Sequence, residues 1–387
     1  EQHGPKVCCR ASAGEFLACV SANQKIRSLI NRILLRQKKL FIYMYESLPE
    51  MTLDEIPGVS ILGPDKAIAH KLNNKFYQYG QLQDHLPVVD FAVCEGLDDL
   101  IKTTDPLWSQ WTNGIFTSLA YSAAGANSMI AFRRADIESR FQDTNAQYFI
   151  SRYIPHGYDP TVLAVVASEN EVYIAGVADQ CIEGGTRFTG STYPSVLPTE
   201  IIDQLKEHTL TAGRWLAQKG YRGIFGADYL VAADGDIRFL EINARKQGTT
   251  LEFCCTLEQS LPAGSPNLVE LEFYAATENL LPIDAVEMQG NPKNIHWGTY
   301  NYKMDCMAYT NGFIPQSARE REAFGRVANG NLKKDFLILE HTGSDFVVAQ
   351  GAFVGRIVAL GHDHQSVQQG LKQGKRTIDL TLVKTNP

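Results

Sequence analysis

Apolar positions along the chain follow two periods, one helical and one extended. From Lys25 to Lys39, Ile26, Leu29, Ile30, Ile33 and Leu34 recur at i, i+3, i+4, i+7 and i+8, which is one face of a helix. Residues 1–24 carry no comparable period and are expected to be partly disordered. Leu40–Tyr45 and Val59–Leu62 are apolar runs that read as strands, the second closed by the turn pair Gly63-Pro64. A helix is predicted from Asp65 to about Gln83. Strands are predicted at Val88–Val93, Ile115–Ser118, Met129–Phe132, Tyr148–Tyr153, Thr161–Ala167 and Val172–Gly176. Ile202, Leu205, Ala212 and Leu216 mark a long helix over Thr199–Lys219, its stripe interrupted only by Thr209. A strand-turn-strand follows, Gly226–Val231 and Ile237–Ile242. Its turn holds Asp234-Gly235, residues that tolerate positive φ. From about Leu261 the chain reads as β-rich and ends in a helix near Ser366–Gln373. No repeat or low-complexity linker interrupts it.

Composition narrows the class. A length of 387 residues suggests two or three domains at about 150 residues each. Apolar residues at 44% and charged residues at 20% describe an ordinary globular protein. With 36 basic and 43 acidic residues the formal charge is −7, which argues against general nucleic-acid binding. No run of eighteen apolar residues exists, so no membrane-spanning helix is expected; the nearest candidate, Phe346–Leu360, is broken by Gln350 and Arg356. The eight cysteines include the vicinal pairs Cys8-Cys9 and Cys254-Cys255 but no Cys-x-x-Cys, so zinc-ribbon and thioredoxin readings lack support. Reduced thiols in a cytoplasmic protein are expected. No signal segment is evident in the sequence, which starts at Glu1 rather than Met. The helix over Lys25–Lys39 carries six basic residues and no acidic one. It reads as a packed helix with a solvated face, or as a surface for a membrane or an acidic partner.

Two motif-like stretches carry no chemistry. Gly370-Leu-Lys-Gln-Gly374-Lys375-Arg-Thr377 is one residue short of a phosphate-loop spacing and reads as a solvated helix end. His362-Asp363-His364 lacks further ligands and reads as a turn with a helix N-cap.

The informative stretch is Phe225–Thr250. Asp228 lies on one strand of the predicted hairpin, and Glu241 and Asn243 lie on the other. Residues i and i+2 of a strand share a face, so Glu241 and Asn243 project together with Arg245 roughly in line. Hairpin pairing brings Asp228 near Glu241. Two carboxylates and an amide oxygen then converge beside a cation. Hard oxygen donors of this kind suit Mg²⁺ holding nucleotide phosphates, and an arginine there neutralises charge on a transferring phosphoryl group. A plain exposed hairpin explains either carboxylate alone, and explains the whole set less well.

At these residues, and over roughly 60–255, the chain resembles the ATP-grasp superfamily of carboxylate-activating ligases. The resemblance implies an α+β fold whose two lobes clasp ATP, with Mg²⁺ held by Asp228, Glu241 and Asn243 and with Arg245 as the catalytic arginine. It implies a phosphate-binding lysine on the helix after residue 65, Lys71 first and Lys75 second. Ser122-Ala-Ala-Gly125-Ala-Asn127-Ser128, whose small residues let backbone amides approach closely, is similar to the phosphate-covering loop. Ser122 and Gly125 are its candidate contacts. The second lysine usual before that loop is absent from Ser118-Leu119-Ala120-Tyr121; Arg133 or Arg134 is the candidate replacement. Tyr148–Ile154 resembles the hinge that reads adenine through its backbone. Ser151, Arg152, Tyr153 and Ile154 are implied contacts, although many relatives have glutamate where Ser151 stands. Backbone groups of Arg152 and Ile154 are the expected readers. Ile150 and Leu230 are expected to line the adenine pocket, and Asp159 or Thr161 to reach the ribose. Asp179–Phe188 is expected as a loop. On it Arg187 either binds a substrate carboxylate or acyl phosphate, or is solvated. Cys181 reads as a passive small residue.

The implied organisation is a pre-grasp domain at 1–62, a small lobe at 63–150, a large lobe with the metal site at 151–262, and a β-rich accessory domain at 263–387. The implied reaction is ADP-forming ligation of a small-molecule carboxylate to an amine, such as an amino acid or peptide, through an acyl phosphate. Asn243–Thr250 and Gly190–Pro194 look most like stand-alone amide and peptide ligases of secondary metabolism. Two rivals stand beside this reading. One loads an acyl group onto a carrier-protein thiol, with the basic segment docking the carrier. The other is a nucleotide-binding regulator without turnover.

Overall fold

The computed structural model describes residues 6–7, 12–121, 127–311 and 319–384. Its centre is an eight-stranded antiparallel sheet. In spatial order the strands are Ile237–Asn243, Gly223–Val231, Pro160–Ser168, Glu171–Glu183, Arg187–Tyr193, His296–Lys303, Phe353–Gly361 and Lys334–Leu339. Strands from both sides of residue 262 therefore share one sheet. Helices cover both faces, which is why Pro160–Ser168 is apolar almost throughout rather than alternating. On one face Leu205, Ala212 and Leu216 of Thr199–Gln218 pack with Val162, Ala164, Phe225 and Ala227. On the other, Leu268, Leu271 and Ala275 of Leu268–Glu278 pack with Leu163, Val165 and Ile224. Thr209 sits in the buried stripe because its hydroxyl bonds Leu205 O at 2.8 Å and Tyr229 Oη at 2.9 Å.

A second, four-stranded antiparallel sheet runs Phe91–Glu95, Gln147–Arg152, Ile115–Leu119 and Ser128–Ala131. A parallel pair, Leu40–Tyr43 and Val59–Leu62, packs with the helix Gln24–Leu34 through Ile30, Leu53 and Val59. A small sheet joins Phe346–Val348, Ala308–Thr310 and Leu382–Lys384, with Lys6–Val7 at its edge.

Several elements differ from the expectation. Ala13–Ala22 is helical despite its lack of a clear period, fixed at its start by a Ser12–Glu15 capping box. The region after Leu261 is mixed rather than β-rich, since it contains the helices Leu268–Glu278 and Glu320–Ala328 as well as His364–Asp379. Gly370 lies inside that last helix, and Asp363 caps it by accepting from the Ser366 amide. Among the described residues Cys19, Cys94, Cys181, Cys254, Cys255 and Cys306 are free thiols. Among them, too, no helix is long and apolar enough to cross a membrane.

Candidate active site

Antiparallel register on the outer hairpin sets Asp228 opposite Glu241 and Gly226 opposite Asn243, with a bulge just after Asp228. Opposed residues share a face, so all three metal candidates project into one cleft. Asp228 is buried and accepts from Thr161 Oγ1 at 2.6 Å, Asn243 Nδ2 at 2.8 Å and Gln247 Nε2 at 3.0 Å. Gln247 can lie there because position 226 is glycine: a Cβ would stand 1.9 Å from Gln247 Cδ. Burial, followed by the Glu241 carboxylate, pushes the Asp228 carboxyl up to about 6, against the pull of its donors.

Glu241 is more open, with Oε2 3.0 Å from Lys75 Nζ. Asn243 Oδ1 accepts from Arg245 Nη2 at 2.7 Å. Arg245 Nη1 donates to Tyr45 Oη at 3.2 Å, and its Nε lies 3.9 Å from Glu46 Oε2. The segment after Leu40–Tyr43 thus closes one end of the site. The cleft, about 710 Å³, runs between the two larger sheets.

The cleft takes Lys75 and not Lys71. The single predicted helix is two, Lys66–Leu72 and Lys75–Leu82. Asn74 leaves the helical path and caps the second helix by accepting from the Tyr77 amide, while the side chain of Asn73, still helical, bonds Glu46 and the Ala244 amide. That break turns Lys75 inward. Lys71 instead lies 4.7 Å over the Tyr77 ring and is absent from the cleft wall. Neither Arg133 nor Arg134 replaces the missing second lysine. Both are exposed and pair with Asp136 and Glu138 on their own helix. Ser122 and Gly125 lie outside the described residues.

Ser151, Arg152, Tyr153 and Ile154 line the cleft, with Leu230 also on its wall; Ile150 is instead buried in the core of the second, four-stranded sheet. Two backbone groups expected to read the base are engaged. The Arg152 amide donates to Asp90 O at 2.9 Å, and His156 Nδ1 lies 2.7 Å from Ile154 O. The Ile154 amide has no partner among the described residues. Asp159 and Thr161 also line the cleft, bound to His156 Nε2 and to Asp228 respectively. Burial works against the His156 cation, but Asp159 and the Ile154 carbonyl hold the imidazole above its ordinary value.

Arg187 does not line the cleft. Asp179–Phe188 is a hairpin rather than a loop, and Arg187 opens its second strand, half-exposed and paired with Glu183 across it. Its neighbours Gly185, Thr186 and Phe188 face the cleft instead. Cys181 is a passive thiol, pushed up chiefly by burial.

Sequence reasoning passed over part of the opposite wall. Arg356, Glu340, Thr249 and Ser191 line it. Arg356 donates to Gly248 O and to the fully buried Glu252 carboxylate, beside which lies Glu320. Burial and Glu252 push the Glu320 carboxyl up to about 8, so this pair holds a proton at neutral pH. The hydroxyls of Ser191 and Thr249 are buried without a partner among the described residues. The available signal was an arginine inside an otherwise apolar strand, Phe353–Gly361.

No protein-family model matches the chain. A curated relative, the butirosin acyl-carrier protein–L-glutamate ligase of Niallia circulans, is 24% identical over 214 residues, 52% of this chain and 50% of that protein. The chain thus spans about half the length of the relative it matches. Among solved structures, the biotin carboxylase βγ-ATP complex of Campylobacter jejuni superposes with a TM-score of 0.64 at 15% identity, covering 96% of this chain and 79% of that one. The biotin carboxylase domain of Hydrogenobacter thermophilus 2-oxoglutarate carboxylase, solved with MgADP and bicarbonate, gives 0.62 at 12% identity over 92% and 77%. N5-carboxyaminoimidazole ribonucleotide synthetase of Thermus thermophilus gives 0.58 at 14% identity over 93% and 86%. The fold is the ATP-grasp fold.

Proposed function

We propose that this chain is an ADP-forming ligase that activates a small carboxylate as its acyl phosphate and joins it to an amine, making an amide or peptide bond. One observation carries the reading: Asp228, Glu241, Asn243, Arg245 and Lys75 meet in one cleft that the hinge residues Ser151–Ile154 also line. The oxygen set fits Mg²⁺. Among the described residues no three His, Cys, Asp or Glu side chains gather to hold an ion; beside Asp228 and Glu241 the oxygen offered as third donor is Asn243 Oδ1. Burial and the neighbouring Glu241 carboxylate raise the Asp228 carboxyl, and a bound cation would offset both. When bound, Mg²⁺ neutralises phosphate oxygens of ATP.

A carboxylate oxygen attacks the γ-phosphorus of ATP, the bond to the β-phosphate oxygen breaks, and ADP leaves. The amine nitrogen then attacks the acyl carbon, phosphate departs, and the amine proton passes to solvent. Lys75 neutralises phosphate charge beside Glu241, and Arg245 does so at the transferring group. Positioning of the partners supplies the remainder of the catalysis. A second reading, transfer to a carrier-protein thiol, is favoured by the name of the curated relative, which joins L-glutamate to an acyl-carrier protein.

The test measures ADP release with Mg²⁺-ATP, a panel of carboxylates including L-glutamate, and hydroxylamine as a small acceptor. Mass spectrometry identifies the hydroxamate. ADP with one hydroxamate is the expected result and names the acid. AMP overturns the mechanism. ATP binding by calorimetry without any turnover across the panel favours the regulator.

A further inference from the structure

The strongest charge anomaly of the molecule lies outside the cleft. A chain of formal charge −7 gathers Lys25, Arg27, Arg32, Arg36, Lys38 and Lys39 into one segment without an acidic residue. In the structure this is the helix Gln24–Leu34 and the turn that follows. Lys25, Arg32, Arg36, Lys38 and Lys39 are exposed, and none forms an ion pair among the described residues. Arg27 is spent on the Ser21 carbonyl at 2.6 Å. Lys25, Leu29 and Arg32 recur at i, i+4 and i+7, which is one face of the helix, and Arg36 follows in the turn. Leu29 on that face is 48% exposed, and Leu35 beside it is 87% exposed.

We propose that this face docks an acidic carrier protein and delivers its tethered nucleophile to the cleft. The proposal rests on the carrier reading of the acceptor. Three observations point to it. First, the helix leads through a five-residue turn into Leu40–Tyr43, and Tyr45 and Glu46 line the cleft. At about 3.3 Å per extended residue, the six residue steps from Lys39 to Tyr45 span at most roughly 20 Å, a reach for a flexible arm rather than a folded domain. Second, two exposed leucines, Leu29 and Leu35, lie along the chain among the exposed basic groups, so that a small apolar anchor accompanies the charge. Third, the other two classes of partner fit poorly. A helix lying on a bilayer buries its apolar stripe in lipid, but here Ile26, Ile30 and Leu34 are packed with Met51, Leu53 and Val59. A nucleic acid would meet a net-negative molecule beyond this one segment.

The experiment compares two acceptors in wild type and in the triple variant Arg32→Glu, Arg36→Glu, Lys39→Glu. The small acceptor is hydroxylamine. The large one is the phosphopantetheinylated butirosin acyl-carrier protein, read by ADP release and by the mass of the loaded carrier at several salt concentrations. The triple variant is expected to raise KM for the carrier about tenfold or more and to remove its salt dependence, with hydroxylamine turnover unchanged. The lysine-for-arginine variant Arg32→Lys, Arg36→Lys is expected to keep carrier KM within about twofold, because a solvated charge suffices at a rim. Equal carrier KM in wild type and triple variant overturns the docking face. So does an equal fall with both acceptors, which reports a folding defect, or binding of wild type to phosphatidylserine vesicles in place of the carrier. Hydroxamate formation without any carrier loading by wild type overturns the carrier reading and docking together, leaving the ligase intact. Absence of ADP with either acceptor removes the ligase reading itself.

Discussion

Two carboxylate clusters face each other across the cleft, and they solve the same electrostatic problem differently. On one wall Asp228 and Glu241 keep one side open to the cleft, with neutral donors on Asp228 and only Lys75 on Glu241. On the other, Glu252 and Glu320 are sealed behind Arg356. The open pair is left short of positive charge, which a bound cation can supply. The sealed pair is compensated within the protein, by one arginine and one retained proton. A buried charge without a partner is costly, so the cluster that is complete in itself is the scaffold, and the incomplete one is where chemistry is expected.

Arg356→Ala tests the scaffold half of this contrast most severely. It strands the Glu252 carboxylate and is expected to cost on the order of 3–5 kcal/mol of stability, read by urea unfolding. A loss below about 1 kcal/mol would show that the sealed cluster does not need its cation. Glu241→Ala tests the other half. ADP release should fall by on the order of 10²–10³ while the urea midpoint holds; full turnover would remove Glu241 from the metal site. Lys75→Ala should raise KM for ATP by about tenfold to a hundredfold, the worth of a charged hydrogen bond. Lys71→Ala should stay within about twofold, and the reverse order would restore Lys71 as the phosphate lysine.

The smallest effect concerns pH. Glu320 titrates near 4.5 when unfolded and at about 8 in the folded protein, so between those values the native state binds the extra proton. Stability should therefore decline as pH rises from about 4.5 to about 8. Glu320→Gln, neutral at every pH, should flatten that slope in urea titrations. An unchanged slope would place the retained proton elsewhere.

Legibility followed sequence distance. Asp228, Glu241, Asn243 and Arg245 were readable because the Asp234-Gly235 turn and the two-residue strand period fix their mutual positions within one hairpin. The central strands and the helix Thr199–Gln218 were readable for the same local reason. The inward placement of Lys75 was not, because the Asn73 side chain beside the break is held by Glu46 and the Ala244 amide, far away in the chain. The helix Leu268–Glu278 was overlooked because its apolar residues face two directions, toward the sheet and toward Phe41.

By itself, then, the sequence determined the local geometry: which residues alternate, where the chain turns, and which oxygens one hairpin gathers. Only the tertiary structure decided which lysine enters the cleft, that Arg187 stays out of it, and that Arg356 closes its far wall on Glu252. The physical reason is range. Periodicity and turn chemistry act over a few residues, whereas burial and charge compensation join groups that only the packed sheet brings together.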